Sequence, residues 1–205
     1  QNRYGLDFIF YILNIISKLA YKENAVETEN TVCDFSDMMR YLSDNSHNRF
    51  VSLEEELKYL NCFAAIQRRR LDGHFDCAIS VPTKYYSVPC PFMLLHAVLE
   101  NVFKYNPDVK DLVKITVTGK ESEGAFLLEI ESRGLPFDDE QMKLALSLEE
   151  LEETQSGKVV LSTLNRRIKG LFGEAYGIFL QKAEGDYVGG NLRVRLPLSS
   201  GGMVK

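Results

Sequence analysis

Residues 99–109 read Leu99-Glu100-Asn101-Val102-Phe103-Lys104-Tyr105-Asn106-Pro107-Asp108-Val109 and close an apolar run that begins at Pro91. The apolar spacing predicts a helix on which Asn101 and Lys104 lie one turn apart, on the same face. An amide oxygen can coordinate a metal ion and an ammonium group can pair with phosphate, so this spacing indicates nucleotide chemistry. The alternative interpretation of these residues alone is a capped core helix that ends at Lys, Tyr, Asn and Pro.

Composition bounds the class of protein. With 205 residues, of which 45% are hydrophobic, the chain can form one medium domain and a helical appendage. Its net charge is −5 and its basic cluster at residues 68–70 is expected at a helix end, so we expect no nucleic acid partner. Four cysteines without Cys-x-x-Cys spacing stand in apolar contexts, which predicts buried, reduced thiols and a cytoplasmic location. The longest apolar segment is too short to cross a bilayer.

The first half of the chain has helical periodicity. The first 20 or so residues predict an amphipathic helix whose wide apolar stripe comprises Phe8, Ile9, Ile12, Leu13, Ile15, Ile16 and Leu19. A second helix at about residues 25–43 could form a hairpin with the first, and two hairpins could form a four-helix bundle. Alternatively, the stripe packs on the rest of the chain. Ser52 and Glu55 have capping-box spacing and begin a third helix that runs to about Leu71.

The second half alternates short strands and helices. Strands are predicted at residues 75–81, 113–119, 126–131, 176–182 and 191–196, and helices from residue 91 and over residues 159–172. The acidic segment 138–153 and the flexible residues 155–157 could cover a nucleotide, or form a solvated helix. We therefore predict an α+β fold: a helical dimerisation region at residues 1–72, followed by a two-layer α/β sandwich at residues 73–205.

Four short motifs precede residues 99–105: Met39-Arg40-Tyr41-Leu42, Val51-Ser52-Leu53-Glu54-Glu55-Glu56-Leu57, Ile66-Gln67-Arg68-Arg69-Arg70-Leu71 and Val88-Pro89. In their order and wording they resemble LytS/YehU-type sensor histidine kinases, and the resemblance extends from about residue 7 to residue 197. In that family they are a helix end, a helix start, a second helix end and the entry to the ATP-binding domain. Residues 99–105 are similar to the family's asparagine box, usually Glu-Asn-Ala-x-Lys-Tyr or Lys-His.

The resemblance implies a histidine kinase/Hsp90-type ATP-binding fold with ATP and Mg²⁺ as cofactors. It implies that Asn101 holds the metal ion, that Lys104 and Tyr105 lie at the nucleotide and that Glu100 acts as the base. The implied partners are a response regulator and a second kinase subunit, in a homodimer or a heterodimer with a related kinase. Because the chain begins at Gln1, we expect it to be the cytoplasmic part of a bacterial protein whose membrane anchor lies upstream.

The resemblance breaks down at the phosphoacceptor. Asp7 stands where the family's first helix carries the acceptor histidine. A carboxylate repels the incoming phosphate and would form a labile acyl phosphate, whereas an imidazole is a neutral nucleophile. His47 and His74 lie outside that helix, and His96 is predicted to be a packed core residue.

The two glycine boxes also differ from the family pattern. Ser132 stands where an aspartate accepts a hydrogen bond from the adenine amino group, and Glu131 should point to the other side of its strand, while Gly134 is retained. In the second box, residues 158–163, bulky side chains replace both glycines, with Leu161 in register and Gly157 able to restore part of the flexibility. We expect these positions to bind nucleotide weakly or not at all.

Three functional hypotheses remain. The first is a signalling core of a two-component sensor histidine kinase-like protein, impaired in autophosphorylation because Asp7 replaces the acceptor histidine, and so a pseudokinase. The alternative is an active ATP-dependent kinase of the same family, with Glu100 as the base, that phosphorylates a partner in trans. The third is another ATPase of this fold, such as an anti-sigma factor kinase or a chaperone, against which the long helical first half argues.

Overall fold

The structure is a computed structural model that describes residues 3–104, 112–134, 161–181 and 189–199. It begins with two antiparallel helices. Helix α1 is Arg3–Lys22 and helix α2 is Val26–Asn45. Their direction follows from two contacts: the Ser17 hydroxyl lies 3.8 Å from the Cys33 thiol, and the Arg40 guanidinium lies 5.6 Å from the centre of the Phe10 ring. The predicted hairpin is therefore present.

The apolar stripe of α1 remains exposed in this hairpin. Phe8 and Tyr11 are each 63% exposed, and Ile12, Ile15 and Leu19 are also exposed. The alternative that the stripe packs on the rest of the chain therefore does not hold for the residues that the structure describes. Within the same residues, no helix is both long enough and apolar enough to span a bilayer.

Helix α3, Leu53–Arg70, follows the short strand β1, Phe50–Ser52. The predicted capping box is confirmed: the Glu55 amide donates to Ser52 Oγ at 3.3 Å, and the Ser52 amide donates to Glu55 Oε2 at 3.0 Å. Strand β1 pairs antiparallel with strand β3, Pro89–Pro91. The helix predicted from Pro91 therefore begins later, as α4 at Leu94–Lys104, because residues 89–91 are extended and paired with β1.

Five strands form the mixed sheet of the second half, in the order β2-β4-β5-β7-β6. They are β2 (Phe75–Ser80), β4 (Val113–Ser122), β5 (Ala125–Arg133), β6 (Gly177–Gln181) and β7 (Gly189–Leu196), with helix α5 (Leu161–Phe172) before β6. Strands β2 and β4 are parallel and the other neighbours are antiparallel. These bounds match the predicted strands closely.

Helices α3, α4 and α5 cover one face of the sheet with a single hydrophobic core. Its members include Leu57, Leu60, Leu95, Val98, Leu164, Ile168, Ile115, Leu128 and Val194. The other face carries ion pairs, among them Glu129 with Lys120 at 2.9 Å and with Arg193 at 2.7 Å. The predicted two-layer α/β sandwich is confirmed. Because α3 shares this core, we propose that the helical region ends before β1 rather than at residue 72.

The cysteines differ in exposure although all four are free thiols. Cys90 is buried, Cys62 and Cys77 are half-buried and Cys33 is exposed. The prediction that all four are buried is wrong for Cys33, because its position on α2 lies at the surface of a two-helix hairpin rather than in the sheet core. The acidic segment 138–153 lies outside the described residues.

Candidate functional site

The asparagine-box helix α4 is held at its first turn by Glu56 of α3. The Glu56 side chain is fully buried, and it accepts hydrogen bonds from the Met93 amide at 2.6 Å and the Leu95 amide at 2.9 Å. The Tyr41 hydroxyl of α2 donates a third hydrogen bond to the same carboxylate. Burial raises the pKa of Glu56 to about 7, while the three donors oppose that rise. One carboxylate thus joins α2, α3 and the start of α4.

A line of aromatic and polar contacts leads from this carboxylate toward Glu100. The Tyr41 ring packs against Tyr59 at 5.0 Å between centroids, and the Tyr59 hydroxyl lies 3.0 Å from His96 Nδ1. His96 Nε2 lies 3.8 Å from Glu100 Oε2, one helical turn along α4. Burial lowers the pKa of His96 and so favours its neutral form. If Nδ1 accepts the hydrogen bond from the Tyr59 hydroxyl, the neutral ring carries its proton on Nε2, and that N–H points toward Glu100.

The prediction that His96 is a packed core residue holds only in part. Its ring packs against Tyr59 and Phe63, with centroids 5.7 Å and 5.9 Å away. However, its side chain is 27% exposed and lies between the Tyr59 hydroxyl and the Glu100 carboxylate. Glu100 is half-buried beside it, on the same face of α4. The apolar residues around His96 in the sequence concealed this role, because Tyr59 comes from a different helix.

Asn101 and Lys104 both lie within α4, and its backbone places them one turn apart, as predicted. Their side chains lie outside the described part of the structure, as do Tyr105 and Gly157. Leu161 begins α5 and is fully buried in the core. Its proposed place in the glycine box thus coincides with a core position.

Ser132 lies near the end of β5 on the face that carries the core. It is 2% exposed, and among the described residues its hydroxyl has no hydrogen-bond partner. Glu131 points to the opposite face, where it pairs with Arg133 at 2.8 Å, so it does not replace the missing carboxylate. A buried hydroxyl without a described partner fits a polar ligand group at this position.

Gly134 follows immediately and shows why glycine is retained there. Its φ is +87°, and a Cβ on it would lie 2.3 Å from the Leu112 carbonyl oxygen. Only glycine, which has no side chain, fits this left-handed backbone conformation at the end of the central strand β5. Asp7, the substituted acceptor position, is exposed on α1.

Sequence reasoning missed Glu56 and Tyr41 as site-organising residues. Both stand inside the short motifs at residues 39–42 and 51–57, which were interpreted only as a helix end and a helix start. A sequence signal exists for Glu56, which is the third of three successive glutamates at a helix start. It falls on the same helix face as Leu60 and Ala64, the apolar residues one and two turns further along.

Comparison with known proteins first defines the class. The histidine kinase family model matches residues 1–75. The nucleotide-free catalytic domain of histidine kinase ThkA superposes with a TM-score of 0.50 at 12% identity, covering 73% of this chain and 98% of that domain. ThkA crystallised with the response regulator TrrA also gives a TM-score of 0.50, at 13% identity over 97% of this chain and 62% of ThkA. The fold is that of a histidine kinase.

The sequence relatives narrow this class. The sensor histidine kinase/phosphatase LytS of Staphylococcus aureus strain MRSA252 is 26% identical over 171 residues, and LytS of strain N315 gives the same identity and length. The match covers 82% of this chain and 29% of LytS, so the chain spans less than a third of its curated relatives. The family model, the sequence relatives and the fold all show similarity to histidine kinases, and the sequence similarity is to the sensor histidine kinase/phosphatase LytS.

The geometry at Gly134 generates a stability prediction. Gly134→Ala is expected to lower the free energy of unfolding by more than about 2 kcal/mol, because a left-handed backbone and a clash with the Leu112 carbonyl add together. Gly173→Ala is the matched control, since Gly173 has a φ of +96° with open space where the Cβ would lie. It should cost about 1 to 2 kcal/mol. Urea unfolding of both variants measures the difference, and equal losses would contradict the steric argument.

Proposed function

We propose that this chain is the signalling core of a two-component sensor histidine kinase-like protein whose own autophosphorylation is impaired. The observation that carries the proposal is the exposed Asp7 at the acceptor position of α1, in a chain that otherwise keeps the hairpin and the sandwich. A carboxylate at that position lacks the neutral nitrogen nucleophile that a phosphohistidine requires. The chain then transmits signals by association and conformation rather than by its own phosphoryl transfer.

The same proposal assigns weak nucleotide binding to the end of the sandwich at which Ser132 lies. The buried Ser132 hydroxyl has no hydrogen-bond partner among the described residues and suits a polar group of the base, but a neutral hydroxyl is a weaker acceptor than a carboxylate. Asn101 would hold Mg²⁺, with Lys104, Tyr105, Gly134, Gly157 and Leu161 as the further nucleotide positions. ATP, when bound, supplies the phosphoryl group.

A second candidate function is an active kinase that phosphorylates a partner in trans. The specific observation in its favour is the contact between His96 and Glu100, which orients the carboxylate proposed as the base. In this alternative, the acceptor histidine belongs to a partner subunit. Because Asp7 replaces its own acceptor, this chain catalyses phosphoryl transfer but does not accept the phosphoryl group.

Two kinds of partner are proposed. The exposed stripe of α1 fits a second helical hairpin, in a homodimer or a heterodimer with a related kinase, because burying it would form a four-helix bundle. A response regulator is the second partner, by analogy with the complex of ThkA and TrrA. We place the chain in the cytoplasmic part of a membrane-anchored bacterial protein.

Dimerisation is tested on α1. We expect the protein to have the mass of two chains, and Ile15→Glu to reduce it to one, because a charge in a helix seam must be desolvated. Asn14→Glu adds the same charge on the polar face of α1, which also carries Asp7 and Lys18, and should leave the dimer intact. Light scattering after gel filtration gives the masses. A monomeric wild type would contradict the homodimer and leave only the heterodimer, and a dimer that survives Ile15→Glu would contradict the proposed α1 interface.

Nucleotide affinity is tested by isothermal titration with an ATP analogue and Mg²⁺. We expect a Kd no tighter than about 0.1 to 1 mM, since at least one adenine hydrogen bond is weakened. Ser132→Asp should tighten binding, because it restores an ionised acceptor, whereas Ser132→Ala should not. A low-micromolar Kd for the unmodified chain would show that other contacts compensate.

Phosphorylation is tested with labelled ATP. The unmodified chain should yield no acid-labile, base-stable phosphoprotein, which is the signature of phosphohistidine. Asp7→His alone should restore little, and Asp7→His combined with Ser132→Asp and glycines at Lys158 and Val160 should restore more. A robust signal mapped to His47, His74 or His96 in the unmodified chain would overturn the impaired-kinase proposal. Phosphorylation of a co-incubated kinase partner would instead favour activity in trans.

A further inference from the structure

Three helices meet at one buried carboxylate. Glu56 Oε1 accepts hydrogen bonds from both the Met93 amide and the Tyr41 hydroxyl, and Oε2 accepts the Leu95 amide. The Met93 amide immediately precedes α4, the Leu95 amide lies in its first turn, and the hydroxyl belongs to α2. The Glu56 side chain has no exposed surface, so the loss of one donor leaves a buried carboxyl group with one hydrogen bond fewer.

The start of α4 is strained at this point. Met93 has a φ of +66°, a left-handed backbone conformation that residues other than glycine rarely adopt. Such a conformation persists where surrounding contacts hold it. The hydrogen bond that the Met93 amide donates to Glu56 is one such contact. The direction in which α4 leaves residue 93 therefore depends on the position of the Glu56 carboxylate.

Helix α2 reaches this carboxylate through one side chain. The Tyr41 ring packs between Tyr59, at 5.0 Å, and Phe92, at 5.4 Å between centroids, and its hydroxyl then meets Glu56. A shift or rotation of α2 would withdraw that hydroxyl and leave a buried carboxylate with two donors instead of three. Because such a group is costly in the interior, the carboxylate and the α4 amides bound to it would have to readjust.

We propose that Tyr41 and Glu56 are positioning residues that couple helix α2 to the asparagine-box helix α4. The position of the hairpin thereby sets the position of residues 100–104, about two turns beyond the Glu56 contact. The coupling rests on the proposed function in so far as α4 carries the nucleotide site. The hydrogen bonds from Tyr41, Met93 and Leu95 to Glu56 themselves do not require nucleotide.

A second polar link between α2 and α3 provides the matched control. Arg69, in the last turn of α3, pairs at 2.6 Å with Asp34, which lies near the middle of α2 and about two turns before Tyr41. This pair fastens α2 to α3 as Tyr41 does, but it makes no contact with α4 among the described residues. A purely structural role in holding the hairpin would therefore be shared by both links, whereas coupling to α4 belongs to Tyr41 alone.

The experiment compares Tyr41→Phe, which keeps the ring and removes the hydroxyl, with Asp34→Asn. Amide hydrogen exchange over residues 92–104 should quicken about tenfold or more in Tyr41→Phe, with exchange in β4 and β5 unchanged. Asp34→Asn should quicken exchange only in α2. Unchanged exchange in α4 for Tyr41→Phe, or the same increase in both variants, would overturn the coupling. This readout needs no nucleotide and no Glu56 variant that fails to fold.

A nucleotide titration separates this proposal from the proposed function. If the wild type binds an ATP analogue with Mg²⁺, Tyr41→Phe should weaken the Kd about threefold or more, while Asp34→Asn leaves it unchanged. An unchanged Kd in Tyr41→Phe would show that α4 moves without affecting the site, and the coupling would be overturned as a route to the nucleotide. Absence of binding in every variant would count against the nucleotide site, while the exchange result would still decide the link between α2 and α4.

Discussion

The buried carboxylate of Glu56 is the constraint on which the arrangement of the helices depends. A buried polar group is tolerated only when hydrogen-bond partners surround it, and here the donors come from α2, from the strained residue Met93 and from the first turn of α4. Helix α3 is fixed against the sheet by its own apolar face, so Glu56 transfers that fixed position to its neighbours. The sandwich and the hairpin are thus joined by a polar contact within an otherwise apolar interface.

The sheet divides its two faces by chemistry. Alternate residues of β4, β5 and β7 enter the core, and the residues between them form ion pairs around Glu129 on the opposite face. This alternation decides the character of the site, since it puts Ser132 inward and Glu131 outward at the end of β5. A neutral hydroxyl therefore occupies the inner position, and the carboxylate of the preceding residue, Glu131, lies on the opposite face.

The scaffold and the chemistry of this chain have been retained unequally, and packing explains the difference. Leu57, Leu95 and Ile168 lie in one close-packed core, where a change of volume lowers stability. A substitution at an exposed site such as Asp7 costs the fold little. A chain can therefore keep this fold while exposed positions such as Asp7 change. Two of the proposed site residues are themselves structural: Gly134 through its backbone conformation and Leu161 through its burial in the core.

The sequence by itself determined the elements and their order, because helical periodicity, strand alternation and the Ser52 capping box are local patterns. Only the tertiary structure decided the fate of three successive glutamates: Glu54 pairs with Lys58 at the surface, Glu55 closes the capping box and Glu56 is buried. The same holds for the β1 to β3 pairing and for His96, whose partner Tyr59 is 37 positions away. Such contacts join residues distant in the chain, and no local pattern specifies which distant group will arrive.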